Sequence, residues 1–249
     1  MEKLKYIERI KECAKQVYSV FLDLLFPRRC PICGDISDGI CEECKKKLLY
    51  IGHPFCFRCG RPVEYEEDAY CADCQKHVHS FTQGRALWLY TGEMRQAIHA
   101  VKYQNKREYL EYFAKEMAEY LHREIADWQP EVILPIPMHR SAKGIRGYNQ
   151  AELLAVHLGR ELGIPVEKKV LFKVRKTANQ KELDHKSRRT NLKGAFAVKL
   201  PHGKRQIWTK VLLVDDVYTT GSTLDEAAHT LRKSGVKDVF FVTICMVPQ

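Results

Sequence analysis

Two adjacent carboxylates followed by a hydroxyl-rich turn stand near the C-terminus, in Val211-Leu212-Leu213-Val214-Asp215-Asp216-Val217-Tyr218-Thr219-Thr220-Gly221-Ser222-Thr223. An apolar run, Ile207 to Val214, stops at Asp215 and Asp216. After the turn, Leu224, Ala228 and Leu231 recur at helical spacing, and the pattern closes at Gly235. A strand, a glycine-containing turn and a helix N-terminus together make a phosphate cradle, because backbone N–H groups converge there and the helix dipole favours an anion. Paired acids at the strand's end suit ribose hydroxyls, directly or through a metal such as Mg²⁺. Phosphate on one side and a diol on the other describe a ribose 5-phosphate. A buried strand ending in an acid-rich turn can be purely structural, and Val-Asp-Asp also opens phosphoacceptor receiver domains. Only 26 residues follow Thr223, too few for the rest of a receiver domain.

A second chemistry lies in the cysteines. Eight of ten form Cys-x-x-Cys knuckles: Cys30 and Cys33, Cys41 and Cys44, Cys56 and Cys59, Cys71 and Cys74. Two thiolates at this spacing grip one face of a tetrahedral ion, and a second pair completes it as a closed, structural zinc site. Sequential pairing predicts two ribbons, Cys30 to Cys44 and Cys56 to Cys74; a cross-braced arrangement is the alternative. A lone Cys-x-x-Cys can also be a redox dithiol, but four pairs without a thioredoxin-like βαβ pattern argue against it. Arg58 and Arg61 with Phe55 and Phe57 suggest a contact surface on the module. His77 and His79 read as surface residues, and Cys13 and Cys245 as small buried hydrophobes.

Basic residues supply a third feature. The segment Met138 to Gln150 carries Arg140, Lys143 and Arg146, with Gly144 and Gly147 and a helix-start Asn149. Charge-assisted contacts and close backbone approach fit a pyrophosphate-binding loop; a solvated basic surface loop is the bland reading. Between Lys168 and Lys210 stand fourteen Lys or Arg against two acids, a local balance of +12 in a chain of net charge +10. This basic loop, with Arg175, Lys176, Gln180, Arg188 and Arg189, fits either closure over a pyrophosphate or contact with a nucleic-acid backbone. Tyr148 and Trp208 are candidate stacking residues for single strands.

These residues need a scaffold to hold them. Ile7, Ile10, Val17, Val20, Phe21, Leu24 and Leu25 predict an N-terminal amphipathic helix. Leu110, Phe113, Met117, Leu121 and Ile125 mark another apolar helix face, and a helix is expected from Gln150 to Leu162 with Gly163 as its stop. Strands are expected at Ala86–Tyr90, Val132–Pro137, Val166–Phe172, Ile207–Val214 and Val239–Val247. Strands alternating with helices predict an α/β fold with a parallel sheet covered on both faces. Ligands bind such sheets at the carboxyl ends of the strands. The expected organisation is a helix over 1–27, a zinc-ribbon module over 28–80 and an α/β domain over 81–249.

With 45% apolar residues among 249, the chain can build a proper core. No apolar stretch is long enough to be a transmembrane segment. The Val17–Phe26 run is interrupted by Asp23 and lacks a small-residue cleavage site, so no secretory signal is expected. Cysteine-rich sequence without an export signal favours metal over disulfides, and a cytoplasmic location is expected.

The stretch from Val211 to Thr223 resembles the phosphoribosyl pyrophosphate (PRPP) signature of type I phosphoribosyltransferases. That resemblance implies that Asp215 and Asp216 hold the ribose hydroxyls and that Thr219, Thr220, Gly221, Ser222 and Thr223 hold the 5-phosphate, with Mg²⁺ accompanying PRPP. The whole chain resembles the ComF family of bacterial competence-associated proteins. The residues that carry this are Leu25-Phe26-Pro27-Arg28-Arg29-Cys30-Pro31-Ile32-Cys33-Gly34, Pro135 to His139, Arg146 to Leu154, and Arg175 with Thr177, Gln180, Arg188, Arg189 and Asn191. The resemblance implies a zinc-binding N-terminal module, a type I phosphoribosyltransferase-like domain and a cytoplasmic role in natural transformation. Incoming single-stranded DNA and an ATP-dependent competence helicase or translocase are the partners it implies. A conventional phosphoribosyltransferase of nucleotide salvage is the alternative. No residue stands out for recognising an acceptor, so no catalytic residue is assigned.

Overall fold

The computed structural model describes residues 27–175, 192–200 and 208–248, except the side chains of Lys143 and Ile145. The expected N-terminal helix, Cys13 and the basic stretch from Lys176 to Asn191 lie outside the described residues. The chain divides into two compact units, with the boundary between Lys47 and Leu48.

In the first unit, a turn at Pro31–Cys33 is closed by the Cys30 N–H donating to Asp35 O at 2.8 Å, with an antiparallel bridge from Arg29 to Ile36. A short helix, α1 (Glu42–Lys45), begins directly after Cys41.

The second unit opens on the second cysteine ribbon, which contains α2 (Ala72–Lys76). Among the described residues six strands follow: β1 (Gln83–Leu89), β2 (Val132–Pro135), β3 (Leu171–Lys173), β4 (Phe196–Val198), β5 (Lys210–Tyr218) and β6 (Asp238–Met246). Six described helices lie between them. These are α3 (Gly92–Tyr103), α4 (Tyr109–Tyr120), α5 (His122–Trp128), α6 (Arg140–Arg146), α7 (Gln150–Leu162) and α8 (Ser222–Lys233). The main sheet is parallel in the order β1-β6-β5-β2, with β3 and β4 forming a separate antiparallel pair.

Both faces of the central strands are covered. All but the first residue of β6 are buried, and so is Val211–Val214 in β5. That is why these strands read as continuous apolar runs rather than alternating ones. Helix α7 packs on β2 and β5, and α4 packs on α7. The edge strand β1 is not left bare. The Ile51 N–H donates to Leu87 O at 3.0 Å, the Leu89 N–H to Leu49 O at 2.9 Å and the Gly84 N–H to Arg58 O at 2.7 Å. Segments leading into and within the ribbon thus satisfy groups that an open edge would expose.

Three expectations change in the structure. Strand β5 does not stop at Val214 but continues through both acids to Tyr218, because β6 offers ladder partners up to Met246. The expected strand at Val166–Phe172 reduces to a parallel bridge between Val166 and Ile133, followed by β3. The polar segment after Pro137 contains α6 rather than an open loop. The helix from Gln150 to Leu162 stands as expected. The Asn149 side chain accepts from the Ala151 N–H, and Gly163 ends the helix at φ 67°, a left-handed conformation that glycine adopts without a Cβ clash.

Candidate functional site

Because β1, β2, β5 and β6 are parallel, their carboxyl ends share one edge of the sheet. A cleft of about 330 Å³ opens there, lined by Tyr90, Lys102, Asp215, Asp216, Val217, Tyr218, Thr219, Gly221, Thr223 and Leu224. The two acids and three residues of the turn predicted from sequence therefore meet on one cavity. Thr220 and Ser222 are buried beside it, their hydroxyls 2.9 Å apart.

The turn owes its shape to Gly221. Its φ of 72° is left-handed, and it forms the N-cap of α8. A Cβ there would lie 2.8 Å from Cζ of Tyr218, so no larger residue fits without moving that ring. The Asp225 N–H donates to Gly221 O at 2.8 Å and closes the first helical turn. The N–H groups of a helix's first turn have no intrahelical acceptor, which suits them to an anion.

The two acids differ. Asp216 is buried and fully engaged: Lys102 Nζ lies 3.0 Å from each carboxylate oxygen, and Gln150 Nε2 donates to Oδ2 at 2.6 Å. Asp215 accepts the Asp216 N–H at 2.9 Å. Burial first, and the neighbouring Asp216 charge second, push its carboxyl up from 3.8 to about 7, against the opposing pull of the Asp216 N–H, Lys102 and Lys173. Burial alone would lower Lys102, but the charges of Asp216 and Asp215 outweigh it and hold the ammonium above its ordinary range. A half-buried carboxylate raised in this way gains from a cation or from hydroxyl donors. The acid pair therefore fits a Mg²⁺-accompanied diol chemically.

Lys102 and Gln150 did not emerge from the motif reading. One signal for Lys102 exists: it falls four residues after Ile98 on the buried stripe of α3 (Met94, Ala97, Ile98, Val101), where a solvated cation is out of place. Gln150 follows the N-cap Asn149, and nothing in its spacing points to Asp216.

The basic residues are distributed otherwise. Arg140 is exposed, and the Lys143 side chain lies outside the described residues. Arg146 Nη1 donates to Gln150 Oε1 at 2.9 Å, and its guanidinium lies 5.3 Å from the Tyr103 ring centre. A chain of contacts thus runs Arg146–Gln150–Asp216–Lys102. None of the three predicted pyrophosphate-loop residues lines the cleft among the described residues. Arg175 donates to Lys193 O at 2.8 Å; Lys176, Gln180, Arg188 and Arg189 lie outside the described residues. Tyr148 is not an open stacking face, since it is buried with its hydroxyl donating to Val101 O and Arg107 over its ring. Trp208 is half-buried.

The cysteines group sequentially: Cys30, Cys33, Cys41 and Cys44 in one cluster, Cys56, Cys59, Cys71 and Cys74 in the other, with all four sulfurs in each within 4.8 Å of one another. Sγ atoms of Cys33 and Cys41 are 3.7 Å apart, and those of Cys59 and Cys71 3.6 Å. Four sulfurs at about 2.3 Å from a zinc ion stand about 3.8 Å apart at the corners of a tetrahedron, so both clusters fit the ion. Cross-bracing is thereby set aside. The second cluster is wholly buried, whereas Cys33 of the first is exposed. Cys245 is a buried thiol, as expected.

Two surface expectations are overturned around the second cluster. His79 is buried, stacked on Phe81 between Asp73 and Asp225, because the chain turns inward there to enter β1; His77 remains exposed. Arg61 is buried as well, with Phe55, so only Phe57 and Arg58 of that expected surface face solvent to any extent.

Comparison with known proteins agrees with this architecture. Residues 21–75 match the double zinc ribbon domain, and residues 108–249 the phosphoribosyl transferase domain. Competence protein F of Haemophilus influenzae is 33% identical over 210 residues, covering 82% of this chain and 88% of that protein. The DNA utilization protein YhgH of Escherichia coli O157:H7 is 30% identical over 210 residues, covering 83% and 90%. Competence protein ComFC of Bacillus subtilis is 27% identical over 205 residues, covering 80% of each. With two sequential cysteine clusters ahead of a parallel sheet that ends in an acid pair and a glycine turn, the chain belongs to the competence protein F (ComF) family, with a double zinc ribbon and a phosphoribosyltransferase domain.

Proposed function

We propose that this protein binds PRPP, or a related ribose 5-phosphate ligand, together with Mg²⁺, and assists the handling of incoming single-stranded DNA during natural transformation. The observation that carries the ligand reading is the meeting of Asp215, Asp216, Thr219, Gly221 and Thr223 on one cleft at the carboxyl edge of the sheet. Asp215 and Asp216 take the ribose diol, and the N–H groups and hydroxyls of the turn take the 5-phosphate. Lys102 and Gln150 fix the rotamer of Asp216 and neutralise its charge, leaving Asp215 the freer acceptor. Arg140, Lys143 and Arg146 serve the pyrophosphate end, Arg146 communicating with the ribose end through Gln150. Mg²⁺, when bound with the ligand, supplies charge neutralisation of the phosphates.

The DNA role draws on relatives named for competence and DNA utilization and on the +12 segment between Lys168 and Lys210, which suits a phosphate backbone. The proposed setting is the cytoplasm, with an ATP-dependent competence helicase or translocase as partner. Among the described residues no helix is long and apolar enough to cross a membrane.

Calorimetric titration of PRPP with Mg²⁺ into zinc-loaded protein, beside an Asp215→Ala/Asp216→Ala variant, tests the ligand reading. Saturable binding that the variant loses supports it. A folded wild type that takes up no ligand refutes it.

A further inference from the structure

Arg61 stands in the second ribbon, two residues after Cys59, yet only 5% of it is exposed. Its Nη1 donates to Val247 O at 3.0 Å, just past the end of β6, and its Nη2 donates to Thr219 O at 3.1 Å, the first residue of the turn on the cleft. The guanidinium lies 5.7 Å from the ring centre of Tyr218, and the Tyr218 phenol in turn fills the space that a Cβ on Gly221 would need. One side chain therefore holds three groups that shape the turn.

The ribbon fixes Arg61 in return. The Cys56 N–H donates to Arg61 O at 2.7 Å and the Gly60 N–H to Cys56 O at 2.9 Å, so the knuckle and Arg61 share one hairpin turn. The charge needs an explanation too. The partners of Arg61 are two carbonyl oxygens and an aromatic face, with no carboxylate among the described residues at ion-pair distance. A buried guanidinium without a counter-charge is costly. A zinc ion held by four thiolates carries a net charge of about −2, and it would sit in the same turn.

We propose that the second zinc ribbon is a working part of the ligand site. Zinc held by Cys56, Cys59, Cys71 and Cys74 sets Arg61, and Arg61 sets the Thr219 carbonyl and the Tyr218 ring beneath Gly221. Zinc occupancy of that cluster and ligand binding in the turn are then coupled, and by linkage each strengthens the other by the same factor. Arg61 is a positioning residue that touches no ligand. The ligand arm of this proposal rests on the ribose-phosphate reading, whereas the zinc-to-turn arm does not.

The test uses the full-length, zinc-loaded protein with Arg61→Met and Arg61→Lys variants. Hydrogen exchange of peptides covering 217–224, without ligand, reads the turn directly. Arg61→Met, and stripping of the second zinc from the wild type, are each expected to speed exchange there by at least about tenfold, the effect of losing even one bond from a charged donor. Mg²⁺ and PRPP are expected to bind Arg61→Met about tenfold more weakly, with Arg61→Lys in between. Zinc release to a chromogenic chelator supplies the reciprocal reading: ligand slows release from the second cluster, which is read by itself in a Cys30→Ser variant. Unchanged exchange at 217–224 in both the Arg61→Met and the zinc-stripped protein overturns the proposal. Ligand-independent zinc release from a protein that binds PRPP overturns it equally. A wild type that binds no PRPP refutes the ligand reading alone, and the exchange arm still decides whether zinc governs the turn. Should Arg61→Met fail to fold, Arg61→Lys and the zinc-stripped wild type carry the same comparison.

Discussion

Replacing Lys102 by Met tests how Asp216 is held in place. The ammonium stands 3.0 Å from both carboxylate oxygens, with side-chain exposures of 22% for Lys102 and 8% for Asp216. At an effective dielectric near 20, that separation corresponds to about 5 kcal/mol of attraction, most of it offset by desolvation of the two groups. Removing one partner of a buried pair costs about 3–5 kcal/mol because a charge is stranded. The Gln150 amide still donates to Asp216, which places the expected loss near the bottom of that range, at about 3 kcal/mol. For a chain of this size such a loss lowers Tm by about 6–12 °C. Urea unfolding followed by Trp fluorescence suits the measurement, since Trp88 and Trp128 are buried in the second unit. The double variant Lys102→Met/Asp216→Asn is expected to recover much of the loss, because no charge is then left unpaired. A coupling energy under about 0.5 kcal/mol in this cycle would refute the reasoning, since pairs in contact couple by about 0.5–3 kcal/mol.

Asp215 predicts a pH dependence. A carboxyl raised from 3.8 to about 7 binds its proton more tightly folded than unfolded. Its contribution therefore favours the folded state at low pH and is lost as pH rises from about 4 through about 7. The unfolding free energy of wild type relative to Asp215→Asn should fall between pH 5 and pH 8, and a flat difference would contradict the raised carboxyl. Gly221→Ala forces a Cβ into the Tyr218 ring at a positive φ, with an expected cost of about 2–3 kcal/mol from backbone strain and displaced packing together. Urea melts and a PRPP titration read it, with loss of ligand affinity exceeding what Tm alone accounts for; wild-type affinity in the folded variant would show that the turn tolerates the ring's movement.

Local chemistry was legible from residue order wherever it depended on neighbours in the chain. Four Cys-x-x-Cys knuckles announce zinc because two thiolates at that spacing already share an ion. The strand, turn and helix N-terminus from Asp215 to Thr223 are consecutive, so their meeting on one cleft could be anticipated. Asn149 and Gly163 bound α7 by local capping. Long-range contacts decided the rest. Pairing with β6 carries β5 past its apolar run to Tyr218, and the tertiary fold brings Lys102 of α3 to Asp216 of β5, 114 residues away. Arg61 reads as a surface cation beside a zinc knuckle, and only the fold carries it 158 residues along the chain to Thr219. Spacing reports what a short segment can do by itself. Which acid pairs with Lys102, and which carbonyls Arg61 reaches, are set by burial and by groups that meet only when the sheet has closed.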